Sequence, residues 1–117
     1  MSGLSDLLAA RLIRPVLRAD TLTVTDAHVG MLLTDATDVA LATHTLASGV
    51  SIGAEFTFCR KDADSLRVAM PGGTTLYDAS GSYSYLETSN FLLPLTIRKV
   101  SSTEYAVVSK VGTWTGA

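Results

Sequence analysis

The sequence is poor in cysteine and in charge. Cys59 is the only cysteine among 117 residues, so no disulfide can form within the chain, and a disulfide-stapled extracellular scaffold is excluded. Charged residues make up only 17% of the chain and leave a net charge of -2, which favours neither nucleic acid nor an anionic membrane as a partner. No apolar run approaches the roughly 18 residues of a membrane span. We therefore expect a protein that is made and assembled in a reducing cytoplasm.

Motifs for catalysis and for cofactor binding are also missing. His28, His44 and Cys59 are the only soft metal ligands, and no two of them stand at a zinc-ligand spacing. No serine lies in a nucleophile elbow, and Gly72-Gly73 lacks the lysine and the helix of a phosphate loop. The sequence predicts no enzyme, no cofactor and no metal site.

Hydroxyl-bearing and apolar residues dominate the composition. The chain contains 15 threonines and 12 serines, and 47% of its residues are hydrophobic. This composition favours strands, and short segments of alternating character follow one another from Thr21 onward. The length suits one domain with one core. We predict an all-β fold over residues 20–117, a small antiparallel β-sandwich or jelly-roll-like barrel.

Residues 50–70 carry the clearest pattern. Apolar side chains alternate with polar or small ones on both sides of the polar run at residues 60–64, which is typical of two half-buried strands. The simplest connection is a β-hairpin, with Phe58 opposite Leu66 and with Glu55 diagonal to Arg67. This hairpin is predicted to form the scaffold of the domain.

Residues 1–19 differ from everything that follows. Leucines recur there at helical spacing, Ser5 can cap the first turn, and Pro15 stops the helix. We predict a short helical arm, which must lie either on the β-core or on a neighbouring subunit because an isolated helix of this length is marginal. In the second case the arm is an interface, formed by Leu4, Leu7, Leu8, Arg11, Leu12, Ile13, Arg14 and Arg18.

The end of the chain adds further candidates. The last long strand, residues 104–111, has apolar residues on both faces, which indicates a strand covered by the core on one side and by a partner on the other. The predicted interface therefore includes Tyr105, Val108 and Trp114. An alternative is a carbohydrate-stacking surface, since aromatic rings bind sugars, and its candidates are Tyr77, Tyr83 and Tyr85.

Three segments, in the same order, resemble a small β-domain of tailed-bacteriophage virion proteins. Residues 21–36 resemble its threonine-rich strand, with the turn and the apolar strand that follow. Residues 49–81 resemble its glycine-flanked strand and glycine-rich turn. Residues 95–114 resemble its closing hairpin. That domain is found in capsid decoration or cement proteins and in tail-fibre modules. Tyr105 stands where tryptophan is usual, and the arm lies outside the match. The family offers no catalytic residues to carry over.

The resemblance implies a structural virion protein. A fibre module is normally one segment of a long chain behind a trimeric shaft, whereas this sequence adds only an arm, so we expect the decoration protein. Its partners would be the phage major capsid protein and other copies of itself, with a trimer favoured over a dimer. Its place would be the capsid exterior, after assembly in the host cytoplasm. The alternative is a carbohydrate- or receptor-binding module of a tail fibre or baseplate.

Overall fold

Two β-sheets account for most of the chain described by the computed structural model, which covers residues 15–117. The strands of the seven-stranded sheet, in spatial order, are β1 (Val16–Arg18), β3 (Leu32–Thr34), β5 (Glu55–Cys59), β10 (Leu95–Ser101), β11 (Glu104–Lys110), β7 (Thr75–Asp78) and β8 (Gly81–Tyr83). Those of the five-stranded sheet are β12 (Thr115–Gly116), β9 (Tyr85–Thr88), β6 (Ser65–Ala69), β4 (Leu41–Leu46) and β2 (Thr21–Val24). The predicted all-β sandwich is confirmed, but both sheets mix parallel and antiparallel pairs instead of being antiparallel throughout.

The first six strands form three coils that stack on one another. Each coil sends one strand to each sheet, and strands of successive coils pair in parallel, as in a β-solenoid. Thr21, Thr43 and Arg67 therefore stand side by side in the five-stranded sheet. We call β1 to β6 the coil stack, and its sheet-to-sheet connections the first arch (residues 19–20), the second arch (35–40) and the third arch (60–64).

The hairpin predicted for residues 50–70 is wrong, because residues 55–69 form the third arch and its two strands, while residues 50–54 form the turn before β5. β5 pairs with β10 in one sheet and β6 pairs with β9 in the other, so the two strands do not pair with each other. Glu55 accepts a hydrogen bond from Arg98 (2.7 Å), and Arg67 donates one to Glu87 (2.8 Å), in place of the predicted Glu55 and Arg67 contact. The alternation still places apolar side chains of the two strands inward, and Phe56, Phe58, Leu66 and Val68 are buried, but Ile52, in the turn before β5, is 64% exposed.

Aspartates in the arches fasten each coil to the next. Asp20 in the first arch accepts hydrogen bonds from the backbone N–H groups of residues 36–37, at 2.8 and 2.9 Å. Asp35 in the second arch is fully buried and accepts bonds from the backbone N–H groups of residues 61–63, at 2.5 to 2.6 Å. Hydrogen bonds to a charged acceptor are roughly twice as strong as neutral ones. The chain turns from one sheet to the other at residues 60–64 because Asp35 holds those N–H groups.

These contacts shift the acidities of the aspartates. Burial alone would raise the pKa of Asp35, but the three N–H donors outweigh it and hold that pKa below its ordinary value. The Thr37 hydroxyl and the neighbouring N–H groups lower the pKa of Asp20. On the opposite side of the coil stack, hydrogen bonds from Ser51 lower the pKa of Asp26. All three carboxylates are thus stabilised in the charged form.

The sandwich includes Val16–Arg18, which precedes the predicted domain boundary at residue 20. Val16–Arg18 forms β1 and pairs in parallel with β3, within the segment assigned to the helical arm. The carbonyl of Pro15 accepts a hydrogen bond from the backbone N–H of Leu32 (2.9 Å). The arm positions of the predicted interface up to Arg14 fall outside the described residues and stay predictions.

The core lies between the two sheets and is almost entirely apolar. His44 is a fully buried polar side chain, and its Nε2 lies 2.7 Å from the carbonyl oxygen of Ala19, to which it donates. Its Nδ1 has no partner within residues 15–117. Burial lowers the pKa of His44, which keeps the ring neutral near pH 7.

Candidate interaction surfaces

A cleft of about 440 Å³ opens on the outer face of the seven-stranded sheet, and its lining residues are Leu32, Thr57, Cys59, Leu92, Pro94 and Thr96. The floor comes from β3, β5 and β10, where Leu32 lies beside Thr57 and Thr57 beside Thr96. The two threonine hydroxyl oxygens are 3.0 Å apart and hydrogen-bond to each other. The floor thereby satisfies these polar groups internally and presents a largely apolar surface.

The wall of the cleft is the loop between β9 and β10. Phe91 and Leu92 on this loop are 59% and 44% exposed. Leu92 has a φ of 54°, a left-handed conformation that is strained for a bulky residue. Arg60 fixes the loop, because its carbonyl accepts a bond from the N–H of Leu92 (2.8 Å) and its Nε donates to the carbonyl of Asn90 (3.1 Å). The strained residue thus lies in a loop that exposes the side chains of Phe91 and Leu92.

Val16 and Arg18 mark the edge of the coil stack next to this cleft. Val16 is 54% exposed and stands beside Leu32 in the sheet. The guanidinium of Arg18 donates to the carbonyl of Ala36 in the second arch (3.0 Å) and forms an ion pair with Asp62 in the third arch. Arg18 makes these contacts within the coil stack while its side chain remains 43% exposed, and its place in the predicted interface stays a prediction.

The closing hairpin, β10 and β11, has exposed valines along its length. Val100 in β10, Val108 in β11 and Val111 directly after β11 are 49%, 52% and 42% exposed. A bulge in the pairing leaves Val108 without a partner in β10, since Ser109 pairs with Thr96 and Val107 with Ile97. We call Val100, Val108 and Val111 the hairpin valines. Val108 is a residue of the predicted interface, and its role there stays a prediction.

Tyr105 and Trp114 are not surface anchors. Tyr105 is fully buried, and only 5% of Trp114 is exposed, so neither side chain can present a surface to a partner as predicted. Burial raises the pKa of Tyr105 to about 12. The indole of Trp114 donates to the carbonyl of Val111 (3.1 Å). Their positions in the sequence indicated apolar contact but could not distinguish a contact with the chain's own core from one with a partner.

The three tyrosines proposed for sugar stacking do not form one platform. Tyr77 is 43% exposed and stands beside Ser82, whereas Tyr83 stands beside Leu76 and packs on the core. Tyr77 and Tyr83 therefore face opposite sides of the same sheet. Tyr85 lies in the other sheet, with the Arg67 guanidinium 4.0 Å from its ring centre. Sequence reasoning brought these residues together, and the fold separates them.

The described residues offer little reactive chemistry. Cys59 is 3% exposed at the side of the cleft, and burial raises the pKa of its thiol, so the sulfur is a poor nucleophile. Within residues 15–117 no group of three or more His, Cys, Asp or Glu side chains could hold a metal ion. No helix in that same range is long and apolar enough to cross a membrane.

The fold and the exposed surfaces together define the structural class of the protein. It is a β-sandwich built on a parallel coil stack, with a largely apolar cleft on its seven-stranded sheet and exposed valines along its closing hairpin. No protein-family model and no curated protein sequence matches the chain.

Proposed function

We propose that the protein is a structural virion protein of a tailed bacteriophage, which decorates the capsid and stabilises its lattice. The resemblance of residues 21–36, 49–81 and 95–114 to the virion β-domain supports this proposal. The observation that carries it is the exposure of the hairpin valines. Exposed apolar surface on a small domain is typical of a protein that binds other proteins.

The mechanism follows from mass action. A protein that binds the assembled lattice and not the loose subunits shifts the equilibrium toward the lattice, by about 2.7 kcal/mol per site at a concentration of 100 times the Kd. The partner is the phage major capsid protein, and copies associate with one another around a symmetry axis, as a trimer in preference to a dimer. An interface of about 800 Å² per partner is sufficient for specific binding. The site of action is the capsid exterior.

Co-sedimentation with capsids that lack a decoration protein tests the proposal. Val108→Arg places a charge within the hairpin valines and is expected to weaken capsid binding at least tenfold. The matched control is Val29→Arg, because Val29 is also about half exposed (48%) but lies outside β10 and β11. It should bind within twofold of the unmodified protein. Equal binding by the two variants, or no binding by the unmodified protein, would contradict the proposal.

A deletion tests the part played by the arm. It should remove residues 1–14 and no more, because Val16–Arg18 is a strand of the sandwich. Loss of capsid binding by a folded truncated protein would place the arm at the capsid interface. Retained binding would assign it to the protein's own β-domain.

A glycan array separates the competing class, a carbohydrate- or receptor-binding module of a tail fibre or baseplate. Tyr77 is the most exposed of the three candidate tyrosines. Glycan binding that disappears in Tyr77→Ser would favour the tail module over the decoration protein.

A further inference from the structure

His44 is a titratable group inside the core that the proposed function leaves without a role. It lies on β4, between β2 of the first coil and β6 of the third coil, and it stands beside Leu22 and Val68 in the sheet. The ring is fully buried and lies against the ring of Phe58, with 5.9 Å between the ring centres. The ring has one hydrogen bond within residues 15–117, which Nε2 donates to the carbonyl of Ala19 (2.7 Å). This bond connects β4 to the start of the first arch.

The other ring nitrogen determines what a second proton would do. Because Nε2 donates, Nδ1 of the neutral ring carries only a lone pair, and it has no hydrogen-bond partner within residues 15–117. Protonation would turn Nδ1 into a charged donor without an acceptor among those residues, next to the aromatic ring of Phe58. A buried charge without hydrogen bonds is strongly unfavourable. The closed sandwich therefore favours the neutral form of His44.

The charged groups around the ring do not compensate for burial. Asp20 in the first arch and Asp35 in the second arch favour the protonated form of His44, whereas His28, in the turn after β2, opposes it. Both carboxylates already accept backbone N–H groups of the next arch. The side chains that β2, β5 and β6 place beside the ring are apolar. Burial outweighs the two carboxylates, because the pKa of His44 is lowered in their presence.

The first coil lies between His44 and one end of the sandwich. β1 and β2 are the edge strands of their sheets, so no described strand lies beyond them. Leu22 on β2 and Ala19, at the junction of β1 with the first arch, are the neighbours of His44 on that side. Separation of the first coil would expose the ring to water. It would leave intact the pairing of β3 with β5 and β10, and that of β4 with β6 and β9.

We propose that His44 is an acid-sensitive switch, whose protonation releases the first coil, residues 16–24, while the other strands stay folded. In the open form the exposed ring takes up its second proton near the ordinary histidine pKa of 6.5, and in the closed form only at lower pH. Opening therefore becomes more favourable as the pH falls below 6.5, by up to about tenfold in its equilibrium constant per pH unit. Asp20 and Asp35 stay charged down to their lowered pKa values, so their hydrogen bonds persist in this range. The switch is a property of the fold and does not depend on capsid binding.

Amide hydrogen exchange at pH 7, 6 and 5 tests the switch in the native protein. Exchange rates are converted to protection factors with the intrinsic rate at each pH. The protection factors of residues 16–24 should fall at least fivefold from pH 7 to pH 5, and they should stay below those of residues 55–59 throughout. Unchanged protection of residues 16–24 would overturn the proposal. Equal protection of the two segments would also overturn it, because the ring would then reach water only by global unfolding.

Two histidine variants identify the group that responds to acid. His44→Gln keeps a donor for the carbonyl of Ala19 but does not titrate, so the protection factors of residues 16–24 should change less than twofold between pH 7 and pH 5. The matched control is His28→Gln, the other histidine of the chain, which should keep the fall seen in the native protein. Near-UV circular dichroism at pH 7 checks that each variant is folded. A fall that persists in folded His44→Gln, or one that disappears in folded His28→Gln, would overturn the proposal.

Discussion

Replacing Asp35 by asparagine should remove the main fastening between the second and third coils. The carboxylate is fully buried and accepts from three backbone N–H groups of residues 61–63. Asparagine has nearly the same shape, but one of its two terminal atoms becomes an NH₂ group. At least one backbone N–H would then face another donor.

The size of the effect follows from the hydrogen bonds. Each bond to a charged acceptor contributes about 1.5 to 3 kcal/mol, and a buried donor left without an acceptor costs about 1 to 3 kcal/mol. Part of this gain is offset by the desolvation of the carboxylate in the native protein. We expect Asp35→Asn to lower the free energy of unfolding by about 3 kcal/mol at pH 7.

Urea unfolding at several pH values measures this change in the free energy of unfolding. Because the folded pKa of Asp35 lies below its ordinary value of 3.8, the unfolded chain takes up the proton first as the pH falls. The ionised carboxylate adds to the free energy of unfolding above pH 3.8, and this contribution is lost as the pH falls below that value. The difference in free energy of unfolding between the native protein and Asp35→Asn should therefore become smaller in acid. Asp38→Asn, an exposed carboxylate in the same arch, is the control and should stay within about 0.5 kcal/mol. Equal stability of Asp35→Asn and the native protein at pH 7 would refute the reasoning.

Three further predictions concern single buried or constrained groups. The free energy of unfolding should fall as the pH drops through 6.5, because unfolded His44 takes up a proton that the buried ring does not, and His44→Gln should lose that dependence in urea titrations. The free energy of unfolding should also decline above pH 10, because Tyr105 ionises in the unfolded chain before it does in the folded protein. Tyr105→Phe should remove this decline. It should be no less stable than the native protein at pH 7, because the Tyr105 hydroxyl has no partner within residues 15–117. Gly112→Ala should cost about 2 kcal/mol in thermal unfolding, since Gly112 has a φ of 77° and an added Cβ would lie 2.6 Å from Leu93; Gly72→Ala, with open space around it, should be nearly neutral.

The sequence located the strands better than it paired them. The closing hairpin is found where it was predicted, and the apolar faces of β5 and β6 point inward as expected. Alternation of apolar residues shows which face of a strand is buried, but it contains no information on whether the next strand lies beside it or across the core. The arch is stabilised by the contact of Asp35 with residues 61–63, and no pattern in the sequence near residue 60 predicts this contact. A hairpin and an arch were equally compatible with the residues of that segment.

Surface residues were predicted less well for a related reason. Apolar residues on both faces of β11 indicated a covered strand, but the bulge at Val108 exposes that residue while Tyr105 remains in the core. A bulge moves one side chain relative to its neighbours and leaves no clear signature in a single sequence. The cleft was missed entirely, because its residues come from three strands and a loop that are distant in the chain.

The order of the coils also governs how the protein opens. In a stack, each coil is stabilised chiefly by its neighbours, and the first coil, β1 and β2, has a paired neighbour on one side only among the described strands. Its strands pair with β3 and β4, and the side chains of Asp20 and Arg18 add hydrogen bonds to the second arch. Amide hydrogens of residues 16–24 should therefore exchange with solvent as one cooperative unit, at a lower free energy than those of β5 and β10. We therefore expect the first coil to open locally while the remaining strands keep their fold, and such opening would briefly uncover the core around Val24.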